Sequence, residues 1–423
     1  MGLNASGQSS NADELKQPFF YISLIFLIAI GFRGCAVVLR PETPSSDAAD
    51  YHQLATRLSE GQGYVNGAMA ATAWRPPGYP VFLSLIYDVF GPSVRSATFV
   101  QTIMGGLTVV LLALLTAMLF GRLESIFAAL IAAVYPGLVW LPRLLLSENL
   151  SLLLTVATLC TVALYLKSRN IWWLALFGFV AGLNTLVRGG NFLLPILIAI
   201  GLFVMSIRSG RREWRRFLVS LLPAVFAFFM ILTPWTIRNY RVFHRFVPIA
   251  TQEGLTLYAS YWPPIRNGKL IWGTLPGAED PVVAAAANAD EVSASKYLQQ
   301  VTVSRLRAQP AYFFRLLPSK LLSLLVPLDW EIFPHAEGSS HRFNLGYVLL
   351  ILPALIGFVI VVRQPISHRW LLWIVPAMVL IQAVIFYGSP RFRLPAELMA
   401  IVLASLTLAH VFAVLKNRSA LLR

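Results

Sequence analysis

The sequence predicts an all-α, polytopic membrane protein of about ten transmembrane helices, with interfacial helices and a small extracytoplasmic cap. Three observations carry this. Of 423 residues, 57% are hydrophobic and only 13% are charged, whereas a soluble globular chain is roughly a quarter charged. Ten apolar runs lie near 18–38, 96–120, 124–142, 149–167, 171–187, 191–207, 217–236, 344–362, 369–388 and 394–415, and about 20 such residues cross roughly 30 Å of hydrocarbon. Threading them alternately gathers Arg122, Lys167 with Arg169, the basic cluster 208–216, Arg363 with Arg369, and Lys416 with Arg418 on one side. The positive-inside rule makes that side cytoplasmic.

Residues 1–17 are polar and lack the basic region and small-residue cleavage site of a secretory signal, so they read as a cytoplasmic tail and the first run as retained. Residues 18–236 form an N-terminal transmembrane module interrupted by an outer loop, 39–93. Within that loop, 46–60 reads as a helix lying on the membrane. Ser46 stands at its N-cap, Tyr51, Leu54, Ala55 and Leu58 recur at helical spacing, and Gly61 with Gly63 ends it. After RPPGYP, the run VFLSLIYDVFG is too short to span and predicts a second interfacial helix. Residues 237–343 form the cap segment, 344–415 the C-terminal transmembrane helices and 416–423 a second cytoplasmic tail. The stretch 309–332 is apolar but carries Arg315 and Lys320. If it spanned, Lys416 and Arg418 would end outside, so an interfacial or re-entrant helix fits better.

A net charge of +15 would point to nucleic acid in a soluble protein, but here much of the excess lies in short loops and sets orientation. No nucleic-acid partner is expected. Cys35 and Cys160 both fall in apolar runs, giving no disulfide framework or CxxC pair. The six histidines show no metal-ligand spacing. No internal repeat is present.

Chemistry concentrates on the outer side. Arg75, Arg143, Arg188, Arg238, Arg241, Arg391 and Arg393 lie there near predicted membrane boundaries, against the positive-inside bias. A single arginine is accounted for by lipid headgroups. Several converging beside acids point to a bound phosphate, which guanidinium recognises with paired donors. Asp47 stands in the first turn of its helix, where the macrodipole keeps a carboxylate ionised and able to accept a proton. Asp50, one turn on, either orients it or acts in its place, and a plain capping role for Asp47 is the alternative. Glu148 begins an otherwise apolar helix, which a dipole contact alone would also explain. Arg75 precedes Pro76-Pro77-Gly78-Tyr79-Pro80, where the prolines give a stiff presentation of Arg75 and Tyr79. In 234–246, Trp235 and Tyr240 read as interfacial anchors beside Arg238 and Arg241. Asp329, Glu331, His335 and Glu337 are a candidate cation or sugar site, with a solvated loop as the plainer reading. Arg33, inside the first run, either snorkels or meets phosphate.

Taken in order, Asp47 and Tyr51, YHQLATRLSEGQGY, RPPGYP followed by an apolar helix and FG, SEN at 147–149, TPWTIRNYRVF and SPRFRLPAE resemble the polytopic glycosyltransferases of the GT-C superfamily. The group most similar includes protein mannosyltransferases, bacterial lipid A aminoarabinose transferases and rhizobial core-galacturonosyltransferases. The resemblance covers nearly the whole chain. It implies a GT-C type fold in a bacterial inner or plasma membrane and a polyprenyl-phosphate-linked sugar as donor. Transfer is then to a lipid, glycan or protein hydroxyl on the extracytoplasmic face, with inversion. It makes Asp47 the first-loop aspartate, Arg75 the basic residue before the proline pair and Glu148 the acid after the third span. Arg391 or Arg393 becomes a further phosphate contact, with Arg188, Tyr51 and Tyr79 lining the donor site. Many relatives have Asp-Glu where this chain has Asp47-Ala48, so Asp50 stands as the second carboxylate and a divalent cation is left open. No cofactor is assigned. Two other readings stay in play: a non-catalytic flippase or transporter of lipid-linked sugar, and a structural subunit that presents a partner enzyme.

Overall fold

The computed structural model describes residues 9–208, 210–262, 265–266, 269–270, 276–327, 344–363 and 368–421, and these are overwhelmingly helical. α1 (Ser9–Leu39) is followed in the first outer loop by α2 (Asp47–Ser59) and α3 (Gly78–Phe90). Then come α4 (Val94–Leu119), α5 (Arg122–Val134), α6 (Pro136–Trp140), α7 (Glu148–Ser168), α8 (Trp172–Val187), α9 (Leu193–Arg208) and α10 (Arg211–Phe243). The outer segment holds α11 (Glu253–Ser260), the two-residue strands β1 (Ile265–Arg266) and β2 (Lys269–Leu270), α12 (Pro281–Ala287), α13 (Glu291–Ala308) and α14 (Pro310–Leu325). α15 (Leu345–Arg363), α16 (Leu371–Ile385) and α17 (Leu394–Leu421) complete the chain.

Each of the ten apolar runs falls on a helix. Among the described residues, seven helices are long and apolar enough to span a membrane, and an eighth arises if α5 and the segment Pro136–Arg143 count as one broken span. α8 and α16 are shorter apolar helices of 16 and 15 residues. The break after α5 has a covalent cause. Pro136 has no N–H to donate to the carbonyl of Ala132, and the axis turns by 54° there. Arg33 meets this break from α1, its guanidinium donating to the carbonyls of Ala132 at 3.1 Å and Ala133 at 3.2 Å. Its 1% exposure shows that it neither snorkels nor reaches the outer surface. It instead satisfies carbonyls that the proline leaves without a helical donor.

One apolar core joins the bundle, with α7 between α4 and α8, α10 against α8, α5 against α4 and α17, and α15 against α17. Small residues set the closest approaches, as in many membrane bundles. A Cβ on Gly178 would lie 1.9 Å from the carbonyl oxygen of Ala224, so α8 and α10 touch backbone to backbone there.

The outer elements follow the sequence pattern with two differences. α2 buries Tyr51, Leu54 and Ala55, as its spacing predicts, together with Ala48, while Leu58 is only half-buried. Ser46, however, makes no side-chain capping bond and sits at φ +50°, so the helix begins at Asp47 without a hydroxyl cap. In α14, Lys320 does not reach a membrane surface. It is 1% exposed, lies 3.6 Å from the centre of the Tyr261 ring and approaches the carbonyls of Val384 and Ile385 at the end of α16. The candidate group Asp329, Glu331, His335 and Glu337 lies outside the described residues.

Gly178→Val should lower the thermal melting point of the purified chain in detergent, since overpacking a closed contact costs about 1–3 kcal/mol. Gly34→Ala, on a helix with nothing within 4 Å of the new Cβ, should leave it unchanged or raise it.

Candidate functional site

Six of the residues singled out from sequence meet in one continuous chain of ion pairs. Arg75 Nη2 lies 2.6 Å from Asp47 Oδ1 and 2.6 Å from Asp50 Oδ2. Arg391 Nη1 lies 2.8 Å from Asp47 Oδ2, while its Nε and Nη2 engage the two oxygens of Glu148. Arg188 closes the far end through Glu148 Oε1. The order is thus Asp50, Arg75, Asp47, Arg391, Glu148, Arg188, so that charges alternate and three carboxylates balance three guanidiniums.

Asp47, Glu148, Arg188 and Arg391 stand at or just beyond helix ends, Asp50 lies in the first turn of α2 and Arg75 in the loop before α3. Asp47 and Glu148 are the first residues of α2 and α7, where the helix dipole favours a carboxylate. Arg188 follows the last residue of α8, and Arg391 lies in the turn before α17. Arg75 is delivered by the proline pair, and Gly78 explains the tight fit. A Cβ on Gly78 would lie 2.8 Å from the backbone of Leu186 and Val187, so only glycine lets α3 start against the end of α8. The loop of Arg75 and the helix that ends at Arg188 are held together at that point.

The loop is also fastened from outside. Glu291, the first residue of α13, accepts hydrogen bonds from Thr72 Oγ1 at 2.6 Å, the Ala73 amide at 2.9 Å and Thr251 Oγ1 at 2.6 Å. Arg238 donates to the carbonyls of Thr72 and Tyr64 at 2.7 and 2.9 Å, its guanidinium packed over Trp235. It therefore holds the first loop rather than joining the ion-pair chain. Beneath the site, Asn191 donates to Ser151 and Asn184 at 2.8 and 2.9 Å, and Asn184 to Thr155 at 3.0 Å, tying α7, α8 and the turn after Arg188 together.

Several expected residues lie elsewhere. Tyr79 is fully buried and donates to Gln101 at 2.5 Å, while Gln101 donates to the carbonyls of Pro142 and Leu144, so Tyr79 is an internal strut. Its ring meets Tyr51 edge to face, and the Tyr51 ring lies 5.3 Å from the Arg75 guanidinium. Tyr51 thus borders the chain of charges, and Tyr79 supports it. Arg393 turns back into the bundle, pairs with Glu397 at 2.5 Å and lies 3.6 Å from the centre of the Tyr347 ring. Of the two arginines near the last helix, Arg391 belongs to the site. Arg143 pairs with Glu42, apart from the chain of charges.

Two residues at the site carry no signal in the sequence. Gln252 accepts from Arg75 Nη1 at 3.0 Å. Glu253 follows it, and its Oε1 lies 2.9 Å from where a Cβ on Gly189 would stand, next to Arg188. Burial would raise the Asp47 carboxyl, but the guanidiniums of Arg391 and Arg75 outweigh it and hold Asp47 well below the usual carboxylate range. Burial likewise opposes the charge on Arg75, yet Asp47 raises its affinity for the proton further. Glu253 forms no ion pair among the described residues, and burial pushes its carboxyl up to about 7. Among the described residues no three His, Cys, Asp or Glu side chains form a metal-ligating group. The site carboxylates already face guanidiniums, so the donor set does not fit a resident cation.

The family model described as dolichyl-phosphate-mannose-protein mannosyltransferase matches residues 74–237. No curated protein is a significant match to the chain by sequence. The apo oligosaccharyltransferase of Archaeoglobus fulgidus is similar in structure, with TM-score 0.58 and 16% identity over 95% of this chain and 52% of that one. The Archaeoglobus fulgidus oligosaccharyltransferase AglB, in complex with an inhibitory peptide and a dolichol-phosphate, matches with TM-score 0.57 and 15% identity over 96% and 52%. The chain spans about half the length of these archaeal proteins.

Glu253 binds its proton more tightly folded than unfolded, so the folded chain loses stability as pH rises from about 4.5 to about 7. Glu253→Gln should remove that slope in melting curves recorded across this range. The fold is that of the Archaeoglobus fulgidus oligosaccharyltransferase.

Proposed function

We propose that this chain is an integral-membrane glycosyltransferase. It moves a sugar from a polyprenyl-phosphate donor to a hydroxyl of a lipid, glycan or protein acceptor, with inversion at the anomeric carbon. The observation that carries this reading is the convergence of Arg75 and Arg391 on Asp47. Two guanidiniums on one carboxylate are a site where a phosphate can take the place of the acid. Further support comes from the matched family description, a dolichyl-phosphate-mannose transfer, and from likeness in fold to an enzyme whose complex includes dolichol-phosphate.

In the resting site Asp47 is a weak base, because both arginines stabilise its ionised form. A donor phosphate competes for those arginines, and the same exchange strengthens Asp47 as a base. Asp47 then takes the proton of the acceptor hydroxyl, and the acceptor oxygen forms its bond to the anomeric carbon. The bond from that carbon to the phosphate oxygen breaks, with the electron pair leaving on the phosphate. Arg75 and Arg391 stabilise the charge that grows there, an effect strengthened where water is partly excluded. Glu148, 3% exposed, holds Arg391 and Arg188 in register. Asp50 shares Arg75 with Asp47 and orients it. By the positive-inside rule the site faces the extracytoplasmic side of a bacterial inner or plasma membrane, with both termini cytoplasmic.

A flippase or transporter is the weaker reading. Transporter sites lie near the midplane, in broken helices, whereas the acids here stand at the first turns of α2 and α7.

The purified chain, incubated with a labelled polyprenyl-phosphate sugar and a membrane extract, should release free lipid phosphate and a glycosylated product. Asp47→Asn should fold and insert normally but lower turnover about 10²–10⁴-fold, the range for loss of a general base. Near-normal turnover by this variant would remove Asp47 from the role of base, and no product from the unaltered chain would remove the transferase reading.

A further inference from the structure

A groove of about 600 Å³ lies outside the ion-pair chain, between the end of α1 and the start of α4. That volume falls within the range of small-molecule sites, about 300–1,000 Å³. Gly34, Val37 and Val38 form one wall, Phe90, Val94 and Phe99 another. Both walls run out to side chains that face the hydrocarbon, with Val38 75% and Phe99 63% exposed. The floor of such a groove suits an alkyl chain.

Its polar end carries two arginines of different kinds. Arg143 is 4% exposed and lines the groove. Its Nε donates to the Arg40 carbonyl at 2.6 Å and its Nη2 pairs with Glu42, while no described residue takes its Nη1. Arg95 is exposed at the mouth with no ion pair among the described residues. Glu42, the one acid lining the groove, is already engaged by Arg143, so the polar end carries a net positive charge. A buried guanidinium with a nitrogen to spare, beside a solvated one, matches a single phosphate at the boundary of an apolar trough.

We propose that this groove binds an anionic phospholipid of the surrounding membrane, with an acyl chain between α1 and α4 and its phosphate on Arg143 and Arg95. The donor phosphate proposed above belongs to Arg75 and Arg391, so the two lipids occupy separate sites. They are nonetheless close. Glu42 and Asp47 are five positions apart in the chain, a stretch that covers at most about 18 Å when fully extended. A headgroup held on Arg143, whose Nη2 pairs with Glu42, therefore steadies the segment that leads into α2.

The test reads binding, not transfer, and so stands apart from the function proposed above. The full chain in detergent is mixed with dioleoyl phosphatidylglycerol or dioleoyl phosphatidylcholine, and retained lipid is counted by native mass spectrometry. The unaltered chain should retain the anionic lipid about tenfold over the zwitterionic one, and Arg95→Glu should cancel that preference. Gly34→Leu, whose Cβ meets nothing within 4 Å, should fill the groove and reduce retention of the anionic lipid without lowering the melting point. Equal retention of the two lipids by the unaltered chain, or unchanged retention by both variants, would overturn the proposal.

Discussion

Charge at the edge of a bilayer is stable only when each group finds its opposite, and the alternating row from Asp50 to Arg188 meets that condition. Glu148 at 3% exposure could not stay ionised alone; Arg188 and Arg391 make its burial tolerable. Because the row is neutral as a whole, it can lie between helices that would reject an isolated charge. Because each bond in it is an ion pair, an incoming anion can exchange partners and need not enter an empty pocket. On the function proposed above, the same arrangement both holds the first loop and receives the donor phosphate.

Helix ends make the row possible. A helix interior in a membrane satisfies its own backbone and offers lipid only side chains, whereas its end exposes amides or carbonyls that need polar company. α2 and α7 each begin on a carboxylate, and α8 stops immediately before an arginine. Elsewhere the same rule takes a structural form. Arg33 fills carbonyls at the Pro136 break, and Lys320 approaches those at the end of α16. Cations shielded from solvent in this chain thus divide into those spent on backbone carbonyls, those such as Arg143 and Arg393 shared between a carbonyl and a carboxylate, and those such as Arg391 that bridge two carboxylates. The last kind marks the candidate site.

This division explains what could be read from sequence. Asp47, Arg75 and Glu148 stood out because charge bordering an apolar run is costly whatever the tertiary structure, and the ten apolar runs fixed where the borders lie. Arg391 and Arg393 are two positions apart in one turn, and nothing local decides which faces the site. Glu397, one helical turn beyond Arg393, captures it for the bundle. Tyr79 shared the stiff proline segment with Arg75, yet its direction is set by Gln101 on another helix. Gln252 and Glu253 lie in the outer segment, where no periodicity singles them out, and only the folding of α11 toward the turn after Arg188 gives them meaning. Span number was legible as apolar runs but not as helix lengths, since α8 and α16 run for only 16 and 15 residues.

Glu291 has a mechanical consequence. Its three hydrogen bonds stitch Thr72 and Ala73 of the first loop to Thr251 and to its own helix, and Thr251 returns a backbone bond to Ala73 at 2.9 Å. Three residues later the same strand of chain carries Arg75, and one residue after Thr251 comes Gln252, which holds that arginine. The cap and the arginine are therefore tied through bonded neighbours, so that a tilt of α13 would be felt at the segment that sets Arg75 against Asp47.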